Sequence, residues 1–154
     1  MGSKSGHQVA ALPMRLAGDG TVQLLLVTSR ETRRWIIPKG WPMKGLKDHR
    51  AAGREAEEEA GVKGPVLKNA VGQYTYWRRA RRDFRLTPVS VFLMCVEGRL
   101  GAWKEKGQRE SRWIDAREVA SLVQEPELIT LIEAVSAKPE TRAFLSRPPQ
   151  PPAV

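Results

Sequence analysis

The stretch from Asp48 to Gly61 admits one local structure, and its surface constrains how the rest of the chain can fold. Asp48 can cap a helix at its start and Gly61 can end it in the left-handed region, which places a helix running from the Asp48 cap to about Ala60. Ala51, Ala52 and Ala56 give that helix a small-residue surface able to lie close to a sheet. A helix advances about 100° per residue, so with Glu55 at zero, Glu58 falls near 300° and Glu59 near 40°. The three carboxylates therefore share an arc of roughly 100°. Glu57 points nearly the opposite way and reads as solvated. Like charges at these spacings cost a bare helix about a few tenths of a kcal/mol per pair. A hard divalent cation reverses that cost, because Mg²⁺ and Mn²⁺ prefer carboxylate oxygens. A solvated acidic face is the alternative for any such trio. Here the knot stands out, because the 154-residue chain carries a formal net charge of +9.

Around this helix the pattern is mostly that of strands. Gln8 to Leu16 and Thr21 to Ser29 read as a pair joined at Gly18-Asp19-Gly20, a strong hairpin signal. Leu24 to Val27 reads as buried on both faces. Trp35-Ile36-Ile37 is a short strand leading into a rigid, turn-rich loop, Pro38-Lys39-Gly40-Trp41-Pro42. Val66 to Trp77 and Leu86 to Val96 read as longer strands, with Arg78-Arg79-Ala80-Arg81-Arg82-Asp83 as a basic tip between them. Gly98 to Gly107 reads as a loop and Glu110 to Ile114 as a strand. Asp115 can cap a short helix through Leu122. A last helix starts at Glu125 or Pro126, with Leu128, Leu131, Ile132 and Val135 on its apolar face. Strands, a helix, more strands and then helices imply an α/β fold, a mixed sheet packed between helices. We expect a single domain over 1–146 and a flexible Pro-rich tail over 147–154.

Composition sets limits on function. Hydrophobic content of 41% and charged content of 28% fit a soluble globular chain. No run approaches the roughly 18 apolar residues of a membrane helix. Met1 to Gly6 lacks an apolar signal core, and the single cysteine, Cys95, excludes an internal disulfide. A cytoplasmic location is expected. Cys95 lies in the apolar run Val91 to Val96 and reads as a buried strand residue. The charge of +9 implies an anionic partner: polyphosphate, nucleotide or nucleic acid. No Ser-His-Asp or Cys-His arrangement offers a covalent nucleophile. His7 and His49 read as incidental surface residues.

Gly40, Arg54, Glu55, Ala56, Glu58, Glu59, Gly61 and Val62 stand at the spacing of the Nudix box, and the chain resembles a Nudix hydrolase. One position departs: the isolated first Glu of the box is Leu46. The resemblance implies an α/β/α sandwich and hydrolysis of a diphosphate linked to another group. It implies that Mg²⁺ or Mn²⁺ is held by Glu55, Glu59 and the backbone carbonyl of Gly40. It further implies that Glu58 is a ligand or general base, and that Arg54 pairs with a neighbouring carboxylate and orients it. An ordinary surface ion pair is the alternative for Arg54.

The flanks most resemble the diphosphoinositol polyphosphate phosphohydrolase branch, which also cleaves diadenosine polyphosphates. Ala10 to Arg15, Leu25 to Arg30, Arg34 to Pro38, Glu58 to Gly64 and Arg112 to Ile114 carry that likeness. Lys39 replaces a glycine of the glycine-rich loop and Trp41-Pro42 makes the loop bulkier, so inositol specificity is not carried over. Candidate phosphate contacts are Arg15, Ser29, Arg30, Arg34 and Lys39; a solvated role is the alternative for each. Arg78, Arg79, Arg81 and Arg82 read as a solvated tip that can also reach polyphosphate or RNA. The preferred substrate is a small phosphate-rich molecule such as a dinucleoside polyphosphate. The rivals are removal of pyrophosphate from RNA 5′ ends and a non-catalytic domain that binds nucleotide or RNA. Glu105 and Glu110 are candidates for a further acidic ligand, and Trp103 for an interface or lid residue.

Overall fold

The computed structural model describes residues 6–147, so the expected tail, apart from Arg147, lies outside the described residues. Among the described residues nine strands form: β1 (Gln8–Leu16), β2 (Val22–Thr28), β3 (Trp35–Ile36), β4 (Lys39–Gly40), β5 (Val62–Lys63), β6 (Gly72–Arg79), β7 (Phe84–Cys95), β8 (Gly98–Arg99) and β9 (Ser111–Asp115). Seven of them make one mixed sheet in the order β3-β2-β1-β7-β6, with β4 also on β1 and β9 also on β2. The pairing of β1 with β7 is parallel and the others are antiparallel. Along one edge β1 pairs first with β4, at Val9 and Ala10, and then with β2, from Met14 onward. Pro13 falls between these two partners. The amide of Ala11 bonds the Pro38 carbonyl on that edge, so the N–H that Pro13 lacks would have pointed into the gap.

Helix α1 (Asp48–Ala60) covers one face of the sheet. Its Ala51, Ala52, Ala56 and Ala60 are fully buried against Val9, Ala11, Leu25, Val27, Phe92 and Met94. On the other face, α2 (Pro126–Ala137), α3 (Pro139–Leu145) and a 3-10 turn (Ala116–Ser121) cover a second core that includes Leu12, Met14, Leu24, Leu26 and Leu93. This is the expected α/β/α sandwich with a mixed central sheet. Asp115 caps the 3-10 turn as anticipated, accepting from the Arg117 amide at 2.9 Å. Among the described residues no helix is long and apolar enough to cross a membrane.

Several local expectations are corrected. Strand β6 begins at Gly72 rather than Val66, which makes only an isolated bridge to Met94; the polar pair Lys68-Asn69 turns the chain between them. The hairpin turns over Ala80 to Asp83 (N···O 2.7 Å), so Arg78 and Arg79 belong to β6 and not to the tip. Gly98–Arg99 is not loop but pairs with Val62–Lys63. Lys47, not Asp48, occupies the cap position of α1, and no side chain caps that end. Asp48 instead holds His7, Nε2 to Oδ2 at 2.9 Å. His49 is buried, at 8% exposure, rather than on the surface. Gly61 ends the helix as anticipated, at φ 67° with its amide on the Glu57 carbonyl.

Candidate active site

Near the C-terminal end of α1 a single residue, Glu59, borders a cleft of about 930 Å³. Glu59 lines it, 5% exposed, and its Oε1 has no hydrogen-bond partner among the described residues. The reason lies in the helix geometry. On the scale used above Ala52 falls near 60° and Ala56 near 100°, so the glutamate at about 40° projects along the sheet-facing side. Desolvation pushes its carboxyl up to about 8, with the charge of Glu55 adding to the rise and Arg109 and Lys39 opposing it. Glu55 is raised too, by burial first and then by the charges of Glu58 and Glu105; a proton on Glu59 can bond to it.

Gly40 belongs here because of close approach. A Cβ on it would lie 2.2 Å from Oε2 of Glu55, so this carboxylate rests against the bare backbone of the loop. Glu58 faces away from the cleft wall toward residues 103–105. Its carboxylate is 3.8 Å from Lys104 Nζ and its carbonyl accepts from the Glu105 amide at 2.9 Å. Trp103 seats this loop: its ring packs on Gly61, where a Cβ would come within 2.3 Å, and Arg99 and Lys106 lie over it at 5.0 and 5.1 Å. Its role is therefore an anchor of the loop on the helix end.

That loop delivers Glu105, one of the two acidic candidates, and Arg109, which the sequence did not reveal. Glu105, 13% exposed, is bonded to Arg109 Nε at 2.8 Å, whereas Glu110 is 69% exposed and pairs with Arg33 at 3.7 Å. Of the two acidic candidates, Glu105 is the one brought to the cluster. Arg109, 10% exposed, also donates to the Thr28 carbonyl at 3.0 Å and lies 3.8 Å from Glu59. Nothing in its spacing marked it out beyond standing four residues after Glu105.

The phosphate candidates divide. Ser29, Arg30, Arg34 and Lys39 line the same cleft as Glu59. Ser29 holds its turn through Thr32 (2.5 Å) and the Arg34 amide (3.2 Å). Arg30 reaches Gln108 at 3.2 Å, and Arg34 reaches Gln124 at 3.0 Å and Glu125 at 3.1 Å. Lys39, half-buried and 4.7 Å from the Tyr76 ring, is lowered by desolvation against the pull of Glu59 and Glu125. Arg15 is not with them. It sits five residues along β1 from Ala10, the partner of Lys39, or roughly 17 Å at strand rise. There it bonds Gln23 at 2.8 Å and lies 3.8 Å over the Trp113 ring.

Arg54 is also corrected. It is exposed and makes no ion pair among the described residues. It borders a separate groove with Leu46 and Glu57. Leu46 offers no acceptor, and Glu57 is engaged with Lys63 at 3.8 Å.

The residue set and spacing now rest on a fold, and the sequence pattern of the NUDIX domain family matches residues 6–135. The chain belongs to the NUDIX domain family. It is 28% identical over 109 residues to Nudix hydrolase 16, mitochondrial, of Arabidopsis thaliana, covering 68% of this chain and 60% of that protein. It is 30% identical over 122 residues to Nudix hydrolase 13, mitochondrial, of the same plant, covering 68% and 54%. The chain thus spans little more than half the length of these relatives. Among solved structures, the C. elegans Ap4A hydrolase binary complex superposes with a TM-score of 0.63 at 18% identity, covering 86% of this chain and 96% of that one. That likeness is one of fold.

Nudix hydrolases generally use divalent cations, and the residues here fit one. Among the described residues no three His, Cys, Asp or Glu side chains already converge as a metal cage, and Arg109 lies against two of the carboxylates, Glu59 and Glu105. Yet Glu59 presents a buried oxygen that accepts no hydrogen bond, and the available donors are the hard oxygens that Mg²⁺ and Mn²⁺ favour. Glu55 and Glu59, beside the Gly40 backbone, are the residues that would hold it.

Proposed function

We propose that this protein is a cytoplasmic, metal-dependent phosphohydrolase that cleaves a phosphoanhydride bond in a small, phosphate-rich substrate such as a dinucleoside polyphosphate. One observation carries the reading: a buried carboxylate, Glu59, one of whose oxygens accepts no hydrogen bond among the described residues, shares its cleft with Arg30, Arg34 and Lys39. Clustered negative charge suits the cation, and the positive charge beside it suits the outer phosphates. A divalent cation bound there would neutralise phosphate oxygens and lower the cost of in-line attack by water.

The chain's own residues supply the rest. Glu55 and Glu59 are held by helix α1 and by the close approach of Gly40, so their oxygens need little rearrangement. Arg30 and Arg34 are tied to Gln108, Gln124 and Glu125 and can exchange these acceptors for phosphate. Glu58, which we assign as ligand or proton acceptor, lies one helical turn from Glu55 beside Lys104. The fold likeness to an Ap4A hydrolase supports a diadenosine polyphosphate as the substrate to test first.

The test is a phosphate-release screen with Mg²⁺ or Mn²⁺, with chelator as control. The panel holds diadenosine tetra- to hexaphosphates, nucleoside triphosphates, diphosphoinositol polyphosphates, nucleotide sugars and triphosphorylated RNA. Turnover of dinucleotides that disappears with chelator and in Glu59→Gln is expected. Turnover surviving either treatment would refute the mechanism.

A further inference from the structure

Among the described residues the exposed large hydrophobic side chains are Trp77, Phe84 and Leu86, at 64%, 63% and 55% exposure. They are not scattered. In the register of β6 and β7, Trp77 lies directly across from Leu86, and Arg79 across from Phe84. Residues two apart and residues directly opposed share one face of an antiparallel hairpin, so the three form one apolar shelf with Arg79 at its edge. All of them line the cleft that holds Glu59 and Lys39. A single exposed apolar residue needs no explanation, but three on one face of a binding cleft do.

The hairpin around the shelf is strongly cationic. Residues 77–86 contain Arg78, Arg79, Arg81, Arg82 and Arg85 against one acid, Asp83. An aromatic surface edged by guanidinium groups complements a flat ring attached to phosphates. Every nucleobase has a π-face that can stack on Trp or Phe, and its phosphates can reach the arginines. An inositol ring has no aromatic face and would leave the shelf unused.

We propose that Trp77, Phe84 and Leu86 form the nucleobase subsite of the cleft, selecting a nucleotide-ended polyphosphate over a diphosphoinositol polyphosphate. This rests on the hydrolase reading above and names the substrate class for that same site. The base lies on the hairpin wall, and the polyphosphate runs from it past Arg34 and Lys39 toward Glu59.

The test is calorimetric binding in Mg²⁺, which separates recognition from turnover. The ligands are a methylene-bridged diadenosine tetraphosphate, which carries bases but resists cleavage, and inorganic tripolyphosphate, which carries none. Trp77→Ala should weaken the dinucleotide about tenfold or more, as losing one stacked base does. It should leave tripolyphosphate unchanged, and Trp77→Phe should restore most of the lost affinity. Phe84→Ala should behave like Trp77→Ala. Trp77 is exposed, so an unchanged melting profile should accompany these results.

Equal weakening of both ligands, or of neither, would overturn the proposal. So would tighter wild-type binding of an uncleavable diphosphoinositol polyphosphate, or an effect of Trp77→Ala seen only on RNA or only on self-association. Failure of the hydrolase reading looks different. Base-dependent binding through Trp77 without turnover of any phosphate compound would leave the shelf standing and remove the enzyme. Turnover of dinucleotides with unchanged binding by Trp77→Ala would remove the shelf alone.

Discussion

The two walls of the cleft are built on opposite principles. The wall that carries Glu59 and Lys39 is buried and closely packed: Glu59 is 5% exposed, and behind it Glu55 lies against a glycine that leaves no room for a methyl group. The wall formed by the β6–β7 hairpin is open, with Trp77 and Phe84 each more than 60% exposed. Burial raises the electrostatic stakes of each group on the first wall, because charges removed from water interact strongly and cannot relax. Groups on the second wall interact mainly by area and can change without disturbing the core. In the function proposed here, chemistry and recognition therefore fall on parts of the fold with very different tolerance for substitution.

The largest expected effect comes from Glu59→Gln. The amide keeps the shape and removes the charge, so turnover should fall about 10³-fold while the protein stays folded. Steady-state kinetics beside a thermal melt would check this, and turnover within about tenfold of wild type would show that the buried wall is not the reactive one. Gly40→Ala probes the same wall by shape alone. The added methyl meets the flexible end of Glu55 at 2.2 Å, so the side chain can yield and stability should change little. The yielding carboxylate leaves its place, however, and turnover should fall about 10²-fold, the scale of a misplacement of about 1 Å. A variant with wild-type kinetics would mean that the position of Glu55 against the loop is immaterial.

How far this division could be read from the chain depends on how local each feature is. The carboxylate face of α1 was legible because helical spacing is fixed within a few residues. The burial of Glu59 was available from the same angles, since Ala51, near 320°, and Ala52, near 60°, bracket it, but only once the alanine side was known to face the sheet. The sandwich followed from the order of strands and helices. Glu105 was legible only as one of two acidic candidates, with nothing to choose it over Glu110, and Arg109 not at all, because about fifty positions separate them from the box and a loop seated by Trp103 on Gly61 brings them back. Arg15 lies outside the cleft for a different reason. Its local sequence resembles a phosphate-binding strand, but strand residues are about 3.3 Å apart, and a few positions carry it out of the cleft. The hairpin was legible as charge and not as a shelf, because cross-strand register decides which side chains share a face.

The contrast between the walls also predicts a dependence on pH. In the folded, metal-free protein Glu59 keeps its proton to about pH 8, whereas the ordinary value is 4.5. The folded state therefore binds a proton that the unfolded chain releases, and metal-free stability should decline as pH rises from 4.5 toward about 8. Binding of the cation to the carboxylate must displace that proton. Apparent Mg²⁺ affinity should thus rise by about tenfold per pH unit up to the same point and then level off. Calorimetry and melting curves across pH 5 to 9, with and without chelator, would measure both slopes. A flat profile would show that Glu59 is already ionised and that the wall is wetter than its burial implies. No comparable slope is expected for the affinity of a ligand that touches only the shelf.

The smallest effect is expected where the family pattern and the structure disagree. The Nudix box places Arg54 as a partner that orients a carboxylate, yet here it is exposed, without an ion pair among the described residues. Leu46 stands where the box has its first glutamate, and the nearby acid on the same groove, Glu57, is engaged with Lys63. Arg54→Gln should therefore change turnover by less than about threefold, and stability by no more than about 0.5 kcal/mol, the range of ordinary surface substitutions. Leu46→Glu supplies the acceptor that Arg54 lacks. If the arginine's orienting role depends on that acceptor, Arg54→Gln should do more harm in the Leu46→Glu background than in the wild type. A double-mutant cycle on turnover reads this coupling directly. A large loss from Arg54→Gln alone would show that the side chain takes up a carboxylate partner during the reaction, and that the acidic wall extends further along α1 than the cleft.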